Sequence, residues 1–328
     1  VITGVADAMT DSTPVVVISG QVASAALGTD AFQEADIIGL TGPITKWNYQ
    51  IRRAEDVAWA VSRAFYIAST GRPGPVVLDF TKDAQVGLTD FEFRKCSFIR
   101  SYVPELPVPM EEVARAAELI DKAERPMVVY GQGVILGGAE KALAEFIEKG
   151  DIPAASTLLG LAALPSSSRL YQGMIGMHGN VAPNIKTNEC DVLIAVGMRF
   201  DDRVTGTLSK YAKQAKVIHI DIDASEIGKI VPVEVGINAN AAEVLPALTS
   251  MIGARRRDAW VDSFSECARI ECEKVIDREL HPGEGHIRMG EVIDKVSEVT
   301  GGGAVIVTDV GQNQMMAARY SRFNRTRS

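Results

Sequence analysis

The sequence predicts an α/β protein built from parallel sheets with helices on both faces, spread over more than one domain. Three observations carry this. Short and almost wholly apolar runs recur at Pro14–Ser19, Pro75–Phe80, Met127–Tyr130 and Asp191–Gly197. Runs of this length without polar alternation read as strands buried on both faces, as in parallel sheets. They alternate with segments of helical period, the order expected of crossover units. Finally, 328 residues exceed the usual size of a single domain.

Taken in order, Pro14-Val-Val-Val-Ile-Ser19 is a buried strand. Residues 55–70 form a helix, with Val57, Val61, Ala64, Phe65 and Ala68 on one apolar face. Pro75–Phe80 is the next strand, and strand, helix, strand in succession implies a parallel pair. Pro104, Pro107 and Pro109 mark a linker over 101–110. A second α/β unit follows, opening with a helix that aligns Val113, Ala116, Ala117 and Ile120. Its first strand, Met127–Tyr130, leads into Gly131-Gln-Gly133 and a helix to about Lys149. Strands are expected at 152–156, 191–197 and 216–221, and a helix near 241–252 closes the unit. Arg255-Arg-Arg257 and the polar helix beyond read as a second linker, 255–286. The remainder, 287–328, begins a third unit with a helix at 287–299, a strand from Ala304 to Thr308 and the turn Val310-Gly-Gln-Asn-Gln314. The domains are thus 1–100, 111–254 and 287–328, and no internal repeat or low-complexity tract interrupts them.

Composition narrows the function classes. Hydrophobic residues make up 46% and charged residues 23%, ordinary for a globular chain. The formal charge is −8 with no basic stripe, which argues against nucleic acid as a partner. No apolar run approaches the roughly 20 residues of a membrane span. No membrane association and a cytoplasmic location are therefore expected. Cys96, Cys190, Cys267 and Cys272 form no CxxC pair and read as reduced structural thiols. His178, His219, His281 and His286 show no zinc spacing, so no metal site is expected within the chain.

The most informative stretch is Arg199-Phe-Asp-Asp-Arg-Val-Thr-Gly206. It follows a buried strand ending at Gly197, and strand tips in open α/β sheets are where ligands bind. Two arginines and two aspartates there suit a dinucleotide. Guanidinium forks pair with phosphate oxygens, and aspartates accept from ribose hydroxyls or hold the arginines. Gly131-Gln-Gly133 sits between a strand and a helix, where backbone N–H groups attract phosphate; a plain tight turn explains it equally well. Gly137 comes one residue late for the dinucleotide fingerprint, which argues against NAD. His178, among methionines, reads from its surroundings as a packed residue. Asp221-Ile222-Asp223 ends a strand, and these acids suit either a helix cap or an adenosine site. Glu34 and Asp36 read as solvated.

Four motifs in order carry a resemblance: Gly20-Gln-Val22, Gly28-Thr-Asp-Ala-Phe-Gln-Glu34, Gly71-Arg-Pro-Gly-Pro75 leading to Lys82, and Arg199–Gly206. Together they resemble the catalytic subunits of the acetolactate synthase family, thiamin-diphosphate enzymes that also bind FAD. The likeness covers nearly the whole chain. It implies an incomplete thiamin-enzyme fold, with 1–100 as part of the pyrimidine-binding-type domain, 111–254 as the FAD-binding-type domain and 287–328 as the start of the diphosphate-binding domain. The cofactors implied are thiamin diphosphate, Mg2+ and FAD. It assigns Gln33, Lys82 and Arg203 to the keto-acid pocket. It assigns Arg72, Gly131, Gly133, Thr157, Leu158, His178, Gly197, Arg199, Asp201, Arg203, Val204, Asp221, Ile222 and Asn240 to FAD. Gln312 and Asn313 would face thiamin diphosphate. Asn313 stands where the family has His, and Ala23 and Thr81 where it commonly has Pro.

The implied reaction is decarboxylation of pyruvate and ligation to a second 2-keto acid, pyruvate or 2-ketobutyrate. This is the first common step of branched-chain amino acid biosynthesis. The implied partners are a second copy in a homodimer and a small regulatory subunit. The family's activating glutamate and its Gly-Asp-Gly…Asn metal motif do not occur here. The chain is therefore expected to be a fragment lacking both ends, without carboligase turnover by itself. Two other functions remain: a related thiamin carboligase or decarboxylase, which the paired motifs RFDDRVTG and GTDAFQE disfavour, and a catalytically silent FAD-binding segment.

Overall fold

A computed structural model describes residues 1–283 and 285–326. The chain divides into two compact units, Val1–Glu105 and Leu106–Ser328.

The first unit is built on a three-stranded parallel sheet, β1 (Val16–Gln21), β2 (Trp47–Ile51) and β3 (Val76–Thr81), in the order β1-β3-β2. Val76, Val77 and Leu78 are buried in the central strand. The helix Val57–Ser69 covers the sheet, but not with the expected face. Ala60, Ala64, Ile67 and Ala68 are the buried row, while Phe65 is 61% exposed and Val57 and Val61 are half-buried. Three alanines let the helix lie close to the sheet, and this outweighs the burial of one phenylalanine. Lys46, just before β2, reaches the end of this helix. Its Nζ donates to the Ile67 carbonyl, to the Thr70 carbonyl at 2.6 Å and to the Tyr102 hydroxyl at 3.2 Å. A cation there offsets the negative end of the helix dipole. Burial holds the Lys46 ammonium down to about 8.

The second unit contains six parallel strands. They are β4 (Pro126–Tyr130), β5 (Ala154–Ser156), β6 (Tyr171–Met174), β7 (Val192–Val196), β8 (Lys216–Asp221) and β9 (Val235–Asn238). Their order is β6-β5-β4-β7-β8-β9. The chain winds outward from β4 in one direction and then from β7 in the other, so the order reverses between these two neighbours. One face of the sheet is packed by the helices Met110–Lys122, Glu140–Gly150 and Ala241–Met251. Val113, Ala116, Ala117 and Ile120 are all buried, as their spacing predicts. On the other face Trp260 and Phe264 of the helix Asp258–Glu271 pack with Met127, Val129 and Leu193. That helix follows the basic run at 255–257 and is part of the core. Arg257 itself donates to the Gly150 carbonyl, to Ile120 O at 3.0 Å and to Ala123 O at 3.3 Å, closing the ends of two helices at once.

Two expected elements differ. The helix after Gly133 is interrupted: Gln132–Leu136 and Glu140–Gly150 are separated by Gly137, Gly138 and Ala139, with Gly138 at φ +67. Two adjacent glycines, one in the left-handed region, end the first helix. The strand expected from Ala304 to Thr308 does not form, and Val305 and Val307 are 67% and 89% exposed. A strand needs a neighbour for its backbone groups, and among the described residues none pairs with this segment. Strands β6 and β9 carry too few apolar residues to be read from pattern, and β2, Trp47-Asn-Tyr-Gln-Ile51, is not among the expected strands although its residues alternate.

No helix among the described residues is long and apolar enough to cross a membrane.

Replacing Lys46 with Met keeps the apolar stem and removes the donor to two carbonyls. We expect a loss of about 1–3 kcal/mol in urea unfolding of the chain, the usual cost of a stranded buried acceptor. An unchanged midpoint would show that water replaces the ammonium without cost.

Candidate functional site

Strand order reverses between β4 and β7, and the carboxyl edge beside such a reversal is where open α/β sheets take ligands in a crevice. The loops after β4, β5, β7, β8 and β9 all emerge at this edge. Of the fourteen residues assigned to FAD, twelve lie beyond the ends of these strands or of β6, Asp221 is the last residue of β8, and Arg72 belongs to the first unit.

Gly131 and Gly133 do not offer their amides to a ligand. Gly131 N donates to Val196 O at 3.0 Å and Gly133 N to Gly197 O at 2.9 Å. The two loops touch. A Cβ on Gly133 would stand 2.6 Å from the Gly197 Cα, and one on Gly197, at φ +54, 2.7 Å from the Gly133 Cα. These glycines bring the β4 and β7 tips into contact and so shape the floor of the crevice. Thr157 donates its amide to Tyr130 O at 2.8 Å, seating the β5 loop against β4, and Leu158 beside it is 40% exposed.

In the loop after β7, Asp201 does not hold an arginine. Its Oδ1 accepts from Arg203 N at 2.9 Å and Val204 N at 3.2 Å and so caps the single turn Asp202–Thr205. Val204 is half-buried against the core. Arg203 is exposed, and its guanidinium lies 3.7 Å from the Asp202 carboxylate. Arg199 is half-buried and makes no hydrogen bond or ion pair among the described residues. The loop after β6 lies on this turn: Met177 N donates to Arg203 O at 2.8 Å, and a Cβ on Gly176 would stand 2.8 Å from the same oxygen. His178 is therefore carried next to Arg203, exposed and without a hydrogen-bond partner among the described residues.

Past β8, Asp221 Oδ1 accepts from Asp223 N at 2.9 Å, and Asp223 Oδ1 from Ser225 N at 2.9 Å and Ser225 Oγ at 2.7 Å. These acids organise a turn; no helix follows for them to cap. The Ile222 carbonyl accepts from Asn238 Nδ2 at 2.9 Å, joining the β8 and β9 tips. Asn240 caps the helix Ala241–Met251 through Ala242 N at 3.0 Å. Gln312 and Asn313 open the helix Gln312–Tyr320, both exposed.

Sequence reasoning missed His219. It is fully buried in β8, and its Nε2 lies 3.0 Å from Met198 O, beneath the arginine loop. Burial lowers its affinity for a proton below the ordinary 6.5, so the neutral ring donates to that carbonyl. Asn180 and Asn184 were missed too. Asn180 Oδ1 accepts from Met174 N at 3.0 Å and Asn184 Oδ1 from Gly176 N at 3.0 Å, fixing the His178 loop. Polar residues between apolar runs give no sign in the sequence of which backbone groups they will meet.

In the first unit, Gln33 and Lys82 follow β1 and β3, so both stand at the carboxyl edge of that sheet. Gln33 is exposed with φ +65, and Phe32 beside it is 88% exposed. Glu34 is not merely solvated. Its carboxylate accepts from Gly28 N, and from Thr29 N and Ala31 N at 3.2 Å each, folding the loop around itself; these bonds, Gly28's first, lower its pKa. Asp36 likewise caps the next helix through Gly39 N at 2.9 Å. Lys82 is exposed, and Asp83 after it accepts from Ser24 N at 2.9 Å. The hydroxyl and amide of Ser24 hold the Asp83 carboxyl down to about 2. Arg72 lies at the opposite, amino end of the sheet, donating to Ser12 Oγ at 2.9 Å and Thr10 O at 3.4 Å, so it is not brought together with Gln33 and Lys82. Among the described residues no group of three or more His, Cys, Asp or Glu side chains could hold a metal.

Residues 113–248 match the family model of the thiamine pyrophosphate enzyme central domain, and β4 to β9 fall inside that stretch. The stretch that matches this central domain thus lies within the second unit. Along its whole length the chain is similar to acetolactate synthase large subunits, as its motifs imply. It is 38% identical to that of Haemophilus influenzae over 99% of the chain and 57% of the relative. It is 40% identical to that of Corynebacterium glutamicum, over 100% and 52%, and 40% identical to the isozyme 2 large subunit of Escherichia coli, over 97% and 56%. The chain spans about half the length of these relatives.

Two outcomes follow from this geometry. Gly197→Ala combines left-handed strain with a Cβ against backbone, and should cost at least about 2 kcal/mol in denaturant unfolding; a neutral result would mean the loops can part freely. His219 contributes stability that is complete above 6.5 and fades as the pH falls through its lower folded value, because the unfolded chain then binds the extra proton. Unfolding free energy measured from pH 7 to pH 5 should fall less steeply in His219→Asn than in the parent.

Proposed function

We propose that this chain forms part of an acetolactate synthase catalytic subunit, with FAD bound along the β4/β7 crevice and keto-acid substrates near Arg203. The observation that carries the reading is the Arg199–Gly206 loop at the point where strand order reverses. It presents two guanidinium groups beside the loop of His178, while Asp201 is consumed in a cap and Asp202 stays exposed 3.7 Å from Arg203. That donor set fits a dinucleotide, the arginines suiting its pyrophosphate. Arg199, Arg203 and His178 are the residues that would hold FAD. The glycine contact between β4 and β7 sets the floor under it.

Thiamin diphosphate with Mg2+, when bound, supplies the electron sink for decarboxylating pyruvate. The chain's own residues then do the positioning. Arg203, exposed at the crevice, matches the carboxylate of the acceptor 2-keto acid, pyruvate or 2-ketobutyrate. Holding the acceptor in place favours carbon–carbon bond formation over protonation. In the first unit, taken by itself, Gln33 suits a keto-acid carbonyl and Lys82 a carboxylate. Gln312 and Asn313 face the diphosphate. In this reading the protein works in the cytoplasm as a homodimer with a regulatory subunit, the partnership that the name "large subunit" suggests for the relatives.

The test uses the chain within a protein of its relatives' length, supplied with thiamin diphosphate, Mg2+ and FAD. Pyruvate should yield acetolactate. Arg203→Gln should lower the yield of ligated product by about 10–100-fold, the worth of one to two charge-assisted bonds, while carbon dioxide release persists. Absence of both acetolactate and acetohydroxybutyrate from the parent protein would overturn the reading. Flavin uptake without turnover would support the silent FAD-binding alternative.

A further inference from the structure

The helix Asp258–Glu271 ends on a carboxylate that is almost wholly buried. The Glu271 side chain is 3% exposed and that of Arg319, from the helix Gln312–Tyr320, is 18% exposed; the two form an ion pair. Both members also hold the loop after β6. Glu271 Oε2 accepts from Val181 N at 2.9 Å, and Arg319 Nη1 donates to Gly179 O at 3.2 Å. The Arg319 Nε is buried and makes no bond. A buried charge pair is expensive to desolvate and is a weak source of stability. Here its distinctive product is geometric, since three elements distant in sequence meet on two backbone groups of one loop. That loop carries His178 and rests on Arg203 O through Met177 N at 2.8 Å.

We propose that Glu271 and Arg319 are positioning residues for the crevice: their ion pair clamps the segment Ile175–Val181 so that His178 and Arg203 stand ready for the flavin. The inference takes its ligand from the function proposed above, but the clamp is a property of the loop and is measured separately. It ties the helix whose first turn carries Gln312 and Asn313 to the flavin loop, so a disturbance at one is felt at the other.

Hydrogen exchange of the backbone amides, followed with and without FAD, tests it. Removing one charge strands the other, so the informative variant is Glu271→Gln with Arg319→Met, which leaves no buried charge. We expect Met177 and Val181 to exchange about tenfold faster, with Val129 and Ile194 in the sheet unchanged, and FAD affinity by flavin fluorescence to fall about tenfold. Arg319→Lys, which keeps the charge, should recover most of both. If the loop amides of the double variant exchange at the parent's rate, there is no clamp. If they loosen while FAD affinity holds, the positioning role is overturned. If the parent binds no FAD, the flavin reading fails, and the exchange rates alone decide whether the clamp exists.

Discussion

The close approach of the β4 and β7 tips is the constraint on which the second unit depends. Neighbouring parallel strands fix the backbone spacing, and the loops leaving them must turn apart at once. Gly133 and Gly197 pass with less room than a methyl group needs. Any side chain at either position would separate the loops and fill the floor of the crevice. The same contact therefore serves folding and binding: it closes the hydrogen bonds of the two loop starts and keeps the reversal point of the sheet concave. The arginine loop leaves directly from Gly197, so its direction is set by that glycine's left-handed backbone.

Much of the charge at the site is committed to the backbone. Asp201, Asp221, Asp223 and Asn240 bind main-chain amides of their own turns. Glu34 does the same in the first unit. Short carboxylates and amides beside a turn satisfy donors that would otherwise face a crowded edge. What is left over defines the chemistry. Arg199 and Arg203 share one loop, and the loop of His178 touches Arg203 O, a set of donors that favours an anionic ligand.

Legibility in the sequence followed the physics of each signal. The strands at 76–81, 126–130, 192–196 and 216–221 stood out because a strand covered on both faces is mostly apolar; the run at 16–21 gave a strand too, but not the buried one expected, since Ile18 is 64% exposed and only Gln21 is buried. The helix at 110–122 was legible because its buried row is periodic. The edge strands β6 and β9 were not, since Tyr171-Gln-Gly-Met174 and Val235-Gly-Ile-Asn238 are short and interrupted by glycine. Phe65 misled because hydrophobicity alone does not say whether a helix needs bulk or closeness against its sheet. Val305 and Val307 misled because an apolar alternation promises a strand only where a neighbouring strand exists. At the site, the motif located the crevice, but the division of its residues between structure and ligand could not be read. An aspartate that caps a turn and one that binds a ribose look the same in sequence.

That division bears on which residues can report on function. A residue such as Asp201 sits inside the motif yet acts on Arg203 only through the backbone of the turn, so its loss would alter binding by loosening the loop. His219 lies outside every motif but contacts the same loop from below, through Met198 O. From above, the loop after β6 presses on Arg203 O and is itself held by Asn180, Asn184 and Glu271. The two exposed donors, Arg203 and His178, are thus presented by a stack of backbone contacts anchored in β6, β7 and β8. Exposed side chains on long stems lose much of their entropy when they bind a ligand, and a rigid backbone beneath them limits that loss to the side chains themselves. The order of the crevice therefore comes from polar residues that never meet the ligand, and its specificity from the exposed donors they hold in place.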